Sequence, residues 1–289
     1  MRRVLLITTA IFFLASSLEA QPRKGVHEVG PSLGISSFFG DLGGADRQGR
    51  GLFFDFDVDA TKPAFGLLYR WNINKLVAFR AQVYYAYVSG NDAYTTFRPR
   101  AQRNLHFQSE IIEGTVVFEL NLAKFEIGTD NKFAPYVFVG IGAFSMNPQA
   151  LDDRTGEWVD LQPLGTEGQN LVRYPDREPY ALTQMVVPYG AGFKFGVTPN
   201  WALALEFAPR LTFTDYIDDV SKTYVTHVSF ESAYFADRSG DGILYVEGNQ
   251  RGDPSHNDSY FFGGLLSLTY KIGSKPKRYT CPKFNLGNN

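Results

Sequence analysis

The 289-residue chain has a formal net charge of −2, with 28 Lys and Arg against 30 Asp and Glu. That balance, with no basic run in the body of the chain, excludes a nucleic-acid footprint; a slightly negative mean hydropathy and the lack of an apolar stretch of about 20 residues exclude a helical membrane protein. Aromatic residues form 15% of the chain and glycines number 28, a composition that favours β-structure with close backbone contacts.

Residues 1–20 read as a cleavable secretory signal. Arg2 and Arg3 supply its positive start, Val4 to Leu14 its apolar run, and Ala20 ends a small-residue stretch. The next unit, residues 21–272, contains eight runs whose side-chain character alternates with period two, as expected of strands whose two faces see different surroundings.

The first run, Val26 to Ser37, sets Val29, Leu33 and Ile35 against Glu28, Ser32 and Ser36. The second (Pro63 to Ile73) and third (Leu76 to Val88) are separated by two residues, Asn74 and Lys75, and form a hairpin. The fourth, Phe107 to Leu122, opposes Ile112, Val116 and Phe118 to Glu113, Thr115 and Glu119; the fifth, Pro135 to Ser145, is apolar on both faces and its orientation stays unassigned. The sixth (Gln184 to Val197) and seventh (Trp201 to Thr214) flank a tight Thr198-Pro199-Asn200 turn. The eighth, Ser259 to Ile272, puts Tyr260, Phe262, Leu266, Leu268 and Tyr270 on one face and Gly263, Ser267, Thr269 and Lys271 on the other.

The connections alternate in length, with long ones at 38–62, 89–106, 146–183 and 215–258. Such asymmetry suits an outer-membrane barrel with short periplasmic turns and long extracellular loops. A soluble β-sandwich also alternates, but its strands run about 5–6 residues. The runs here are about twice that and match the roughly 9–11 residues that cross a bilayer at a tilt. Tyr69, Trp71, Tyr85, Tyr87, Trp201, Tyr260, Phe262 and Tyr270 lie near run ends and are expected to form interfacial girdles. The predicted fold is therefore all-β: an eight-stranded antiparallel transmembrane β-barrel. The alternating stretches Phe53 to Val58 and Thr223 to Phe235 leave ten strands open; here they are read as strand extensions or hairpins within loops.

Arg70, Arg80, Glu113, Glu119, Lys194, Glu206, Arg210 and Lys271 fall on the polar faces. Inside eight strands, side chains just fill the interior. The expectation is a plugged lumen crossed by Arg/Glu bridges, since an unpaired buried charge costs several kcal/mol.

The chain leaves its first strand through Phe38-Phe39-Gly40-Asp41-Leu42-Gly43-Gly44. Lys62-Pro63 opens the second strand, Ser89-Gly90-Asn91-Asp92 follows the third, and Thr214-Asp215-Tyr216-Ile217-Asp218-Asp219-Val220-Ser221 follows the seventh. Gly248-Asn249-Gln250-Arg251-Gly252-Asp253-Pro254 precedes the last. In these elements, which span most of the mature chain, the sequence resembles the PorG-like outer-membrane proteins of the Bacteroidota type IX secretion system. The resemblance implies a barrel in outer-membrane lipid above a periplasmic ring of a lipoprotein and its partner (PorK-like and PorN-like), helping to export cargo; some relatives serve gliding motility. The tail 273–289 is then periplasmic, and Lys277, Arg278, Tyr279 and Cys281 are its candidate partner contacts. Cys281 is the single cysteine, so it forms either an intermolecular bond or an idle thiol.

Other patterns are weaker. Asp215, Asp218 and Asp219 place three carboxylates in one loop start and raise the question of a divalent cation; a capped, solvated turn is the commoner meaning. Asp237 to Gly242 resembles the start of a calcium loop, yet the twelfth position is Gly248, and Glu247 misses it by one. Arg251-Gly252-Asp253 spells an integrin tripeptide that recurs by chance. Gly140-Ile141-Gly142 and Gly190-Ala191-Gly192 have no helix behind them and read as lumen packing, not as a dinucleotide loop. His106 and His227 near the loop aspartates could in principle supply a general base, but four histidines scattered over loops form no constellation. No catalysis, metal or cofactor is expected, and a plain OmpA- or OmpX-like barrel is the main alternative.

Overall fold

The computed structural model describes residues 25–42, 60–95, 98–169, 171–226, 229–239 and 246–272. The expected signal peptide, Gly43, Gly44, Phe53 to Val58, His227 and the tail with Lys277, Arg278, Tyr279 and Cys281 lie outside them. In chain order the elements are β1 (Val26–Phe39), β2 (Lys62–Asn72), β3 (Val77–Asn91), α1 (Arg98–Arg103), β4 (His106–Asn121), β5 (Phe133–Asp152), β6 (Glu157–Asp160), β7 (Thr183–Gly196), β8 (Trp201–Thr212), α2 (Phe230–Ala236) and β9 (Ser259–Ile272).

Among the described residues, eight of these strands close into one antiparallel ring, and β6 forms a hairpin with β5 outside it. Closure comes from β1 pairing with β9 along its length, so neither strand presents a free edge. A lipid-embedded sheet requires this, because hydrocarbon cannot hydrogen-bond an open row of backbone groups. The short turns are locally encoded. Asn74 Oδ1 accepts from the Leu76 and Val77 N–H groups at 2.7 and 2.9 Å, and the Thr198 hydroxyl accepts from the Trp201 N–H at 3.1 Å.

The faces separate by chemistry. Outward-facing Leu33, Leu67, Val83, Val116 and Ile141 are each more than half exposed, and similar apolar side chains circle the barrel. In water such a surface would be far larger than the apolar patch a soluble monomer tolerates; in a bilayer it is the lipid face. Tyr69, Trp71, Tyr85, Trp201 and Tyr270 are exposed on this side as girdle residues should be. β5, whose orientation the sequence leaves unassigned, points Val137, Val139 and Ile141 outward and Ala134, Tyr136, Phe138 and Phe144 inward.

Three expectations need correction. Tyr260 and Phe262 are not girdle residues but lie inside the lumen, 1% and 0% exposed. The alternation of β9 slips by one at Gly263-Gly264, where Gly264 takes φ +54° and the register shifts against both β1 and β8. A bulge of this kind reverses which parity of residue faces inward. Second, the described residues of Thr223 to Phe235 form no strand extension or hairpin, since Thr223 makes one isolated bridge to Gln250 and Phe230–Ala236 is helical. The Ser229 hydroxyl caps α2 by accepting from the Ser232 N–H at 3.1 Å. Third, β5 continues to Asp152, seven residues beyond its expected end. Replacing Gly264 by valine should cost about 1–3 kcal/mol, the usual strain of a side chain held at positive φ, and a lower denaturant midpoint for the refolded barrel would register it.

Both mouths are filled. At the short-turn end the 122–132 connection folds back, burying Phe125 and Ile127 against Ala134 and Ala202. Lys75 and Glu126 pair at 3.0 Å, and Lys271 donates to the Ile127 carbonyl at 3.0 Å. At the opposite end the loops build a cap whose Leu42, Ile217 and Val220 belong to the same buried cluster as lumen residues Tyr84, Phe107 and Phe262.

Candidate functional site

The lumen charges form a continuous network of six side chains and a separate Arg210–Glu113 pair. Glu119 on β4 is the centre of the network: it meets Arg70 of β2 at 2.9 Å, Arg80 of β3 at 3.0 Å and Lys194 of β7 at 2.5 Å. Arg70 also meets Glu28 of β1 at 2.9 Å, and Arg80 grips Glu206 of β8 through both terminal nitrogens. Neutral groups add hydrogen bonds to the carboxylates: Asn72 and Thr269 donate to Glu28 at 2.6 and 2.9 Å, and the Tyr136 hydroxyl donates to Glu206. Nearer the cap, Arg210 forms a two-pronged pair with Glu113 at 2.9 Å for both bonds, Tyr260 donates to the same carboxylate at 2.8 Å, and Phe262 lies 4.0 Å from the guanidinium.

All eight of these charged side chains are at most 2% exposed. Four cations (Arg70, Arg80, Lys194, Arg210) face four anions (Glu28, Glu113, Glu119, Glu206), so the described lumen charges balance. Of the polar-face residues picked from the sequence, only Lys271 stands apart, half-buried at the mouth. Lumen glycines make room for the large rings: a Cβ on Gly66 would lie 2.4 Å from the Tyr84 ring.

The second assembly is the cap. Arg103 from α1 binds Asp92 at 2.7 and 2.9 Å and also donates to the carbonyls of Asp41 and Arg251 at 2.7 and 2.5 Å. Arg251 binds Glu167 at 3.1 Å and the Asp219 carbonyl at 2.6 Å. Glu167 in turn accepts from the Ser221 N–H at 2.9 Å and the Lys222 N–H at 3.0 Å, while Tyr180 donates to Asp219 at 2.6 Å and Thr166 donates to its other oxygen. Asp218 accepts from the Leu42 and Val220 N–H groups at 2.8 and 2.9 Å. Asp258 accepts from the Ile217 N–H at 2.8 Å, and Asp41 from the Asp253 N–H at 2.7 Å.

These contacts gather the loop elements that the sequence analysis singled out. Gly40-Asp41-Leu42, Gly90 with Asp92, Asp215 to Ser221 and Arg251-Gly252-Asp253 all meet in the cap, whereas Lys62-Pro63 opens β2. The glycines mark close approaches. A Cβ on Gly90 would lie 2.4 Å from the Leu42 carbonyl oxygen, and one on Gly252 would lie 2.4 Å from an Asp41 carboxylate oxygen. Asp218 and Asp219 are fully buried, so the solvated-turn reading of that run is corrected, and Arg251 of the Arg-Gly-Asp tripeptide is buried as well. The sequence did not reveal Arg103, Glu167 or Asp258, because irregular loops carry no periodicity to flag a buried polar residue.

Burial raises the cap carboxyls. Asp215 is pushed up to about 8 and Asp219 to about 6, the latter held down by Arg251. Burial drives Asp218 and Asp258 well above the usual carboxylate range, and neighbouring carboxylates add to it. Among the described residues no group of three or more His, Cys, Asp or Glu is arranged to hold a metal ion. His106 sits beside the hairpin, its Nε2 accepting the Leu151 N–H at 3.0 Å and its ring edge-on to Trp158.

A closed antiparallel barrel with an apolar exterior and a charge-balanced lumen packed with side chains defines a transmembrane β-barrel protein. Within that class the chain belongs to the family described as a domain of unknown function, DUF6089, whose model matches residues 3–162. Comparison with curated proteins gives no match. Among solved structures the chain is similar to Ail, the attachment invasion locus protein of Yersinia pestis, in complex with the heparin analogue sucrose octasulfate, at 10% identity over 86% of this chain and 100% of that one, TM-score 0.38. It is similar also to the N-terminal β-barrel domain of Pseudomonas aeruginosa OprF (8%, 87% and 100%, TM-score 0.36) and to Neisserial surface protein A (10%, 86% and 97%, TM-score 0.36). Likenesses of this size assign no function.

Proposed function

We propose that the protein is an outer-membrane component of a type IX secretion machine, anchoring a periplasmic ring of PorK-like and PorN-like subunits. The observation that carries this reading is the filling of both mouths by the chain's own residues, Phe125 and Ile127 at one end and Leu42, Ile217 and Val220 at the other. A barrel so filled offers cargo no path through itself, and its work falls to its surfaces. Four of the five elements by which the sequence resembles the PorG-like secretion barrels contribute residues to the cap.

In this reading residues 1–20 direct export and are removed, and the short-turn end faces the periplasm. β9 ends there at Ile272, beside Asn200 of the short turn, whose carbonyl accepts the Lys271 N–H at 2.8 Å. The segment 273–289 meets the ring, with Lys277, Arg278, Tyr279 and Cys281 as its contacts and Cys281 able to bond covalently to a ring subunit. Purification from outer membranes after alkylation, with the copurifying proteins identified on reducing and non-reducing gels, tests both parts. A lipoprotein partner is the expected companion. Recovery of lipopolysaccharide and lipid alone would leave a plain structural barrel of the OmpA or OmpX kind, and an unchanged mass on reduction would remove the covalent bond.

A further inference from the structure

The two buried charge systems differ in one respect. The lumen balances cation against anion, but the cap does not: its buried cations Arg103 and Arg251 are committed to Asp92 and to Glu167 with Asp219, which leaves Asp218 and Asp258 with no ion pair among the described residues. We propose that Asp218 and Asp258 form a proton-dependent latch, holding the cap shut as neutral carboxyls and releasing it as they ionise. This goes beyond the anchoring role and stands independently of it.

The geometry favours protons over a bound cation. Both oxygens of Asp218 already accept backbone N–H groups, those of Leu42 and Val220, and one oxygen of Asp258 accepts from Ile217. Too few lone pairs remain for a coordination shell of six to eight oxygens, in keeping with the absence of a metal-holding arrangement among the described residues. The other oxygen of Asp258, Oδ1, is buried with no hydrogen-bond partner among the described residues, and a Cβ on Gly40 would lie 2.1 Å from it. A lone charge on that oxygen would be expensive, and a proton removes it.

The latch joins three segments through single bonds. Asp218 of the 214–221 segment holds the β1 exit at Leu42, Asp258 at the foot of β9 holds Ile217, and Asp41 holds the 251–254 segment at Asp253. The groups that act directly on the pair are Asp41 from the β1 exit, Asp215 from the 214–221 segment, Arg103 from α1 and Tyr180 from the 161–182 loop; Asp253 and Arg100 act on Asp41 in turn, and Arg251 and Glu167 on neighbouring Asp219. The acidic members dominate, so each ionisation makes the next harder.

The sign follows from the proton count. Burial raises Asp218 and Asp258 in the closed cap above the ordinary value of 3.8, so the closed form binds more protons than the open one. Closure is therefore fully favoured below about pH 4 and weakens as pH rises towards the closed-cap values, by about tenfold per pH unit for each proton involved.

Hydrogen exchange at the Leu42, Ile217 and Val220 amides, corrected for the intrinsic pH dependence of exchange and measured on the full chain in lipid between pH 5 and 9, tests the proposal. Wild-type protection at these three amides should fall as pH rises. In Asp258→Asn the side-chain carbonyl can still accept from Ile217 while an uncharged NH2 replaces the partnerless oxygen, so the pH slope should lessen by one proton and protection at pH 9 should exceed that of wild type. Infrared spectra at neutral pH should show a protonated-carboxyl band that Asp258→Asn or Asp218→Asn diminishes. Wild-type protection that is flat from pH 5 to 9, an Asp258→Asn slope equal to wild type, or protection that calcium restores and a chelator removes would each overturn the latch.

Discussion

Replacing Glu119 with glutamine is expected to destabilise the barrel by about 3–5 kcal/mol, the cost of stranding buried charge when one partner of an ion pair is removed. Glu119 is fully buried and meets Arg70, Arg80 and Lys194, so its loss leaves the described lumen with four cations and three anions. Arg70 keeps Glu28 and Arg80 keeps Glu206, but Lys194 loses its one ion pair and retains the Asn121 side chain at 3.0 Å and the Tyr136 ring face at 4.3 Å. The companion variant isolates the cause. Adding Lys194→Met to Glu119→Gln restores three against three, and the double variant should be more stable than Glu119→Gln alone. Urea titration of the protein in lipid vesicles, followed by the fluorescence of Trp71 and Trp201, reads both. A single-variant loss below about 1 kcal/mol, inside the range of an exposed ion pair, or a double variant weaker than the single, would show that charge balance does not organise this lumen.

Arg251→Met should have a comparable but local effect. It removes the cation shared by Glu167 and Asp219 and the bonds to the Asp219 and Ala236 carbonyls at 2.6 and 3.2 Å. The cap is expected to lose about 3–5 kcal/mol of closing free energy, while the barrel keeps its denaturant midpoint, since the Arg251 side chain directs its hydrogen bonds and ion pairs to the loop residues Glu167, Asp219 and Ala236. Limited proteolysis with mass mapping separates the two: new cuts should fall within 161–182 and 214–258, with the strands intact. A cutting pattern identical to wild type would mean that Arg251 does not hold the loops together.

Several features were legible from residue order because lipid and lumen impose opposite demands on neighbouring side chains. The bounds expected for the last strand, Ser259 to Ile272, coincide with those observed, and the first, second and fourth runs differ from β1, β2 and β4 by at most two residues at either end. The contrast fades where its cause does. Beyond the apolar belt, β5 carries Met146 and Ala150 inward with Asn147 and Gln149 beside them, and with no lipid outside nothing in that stretch announces a strand. Tyr260 and Phe262 were misplaced for a different reason. Strict alternation assumes that no residue is inserted, and Gly263-Gly264 inserts one through a backbone conformation open to glycine at little cost.

The residue order determined that the chain crosses a membrane as strands and which charged residues turn inward, because burial side follows from period two wherever one face must be apolar. Which charges meet was decided only in three dimensions. Arg80 and Glu206 lie 126 residues apart, and Arg251 and Glu167 lie 84 apart. Such pairs depend on ring closure, strand register and loop trajectories, none of which leaves a local trace. The closing of the cap belongs to the same level, since carboxylates from separate loops come to share one dry space only after the barrel has brought the ends of its strands together.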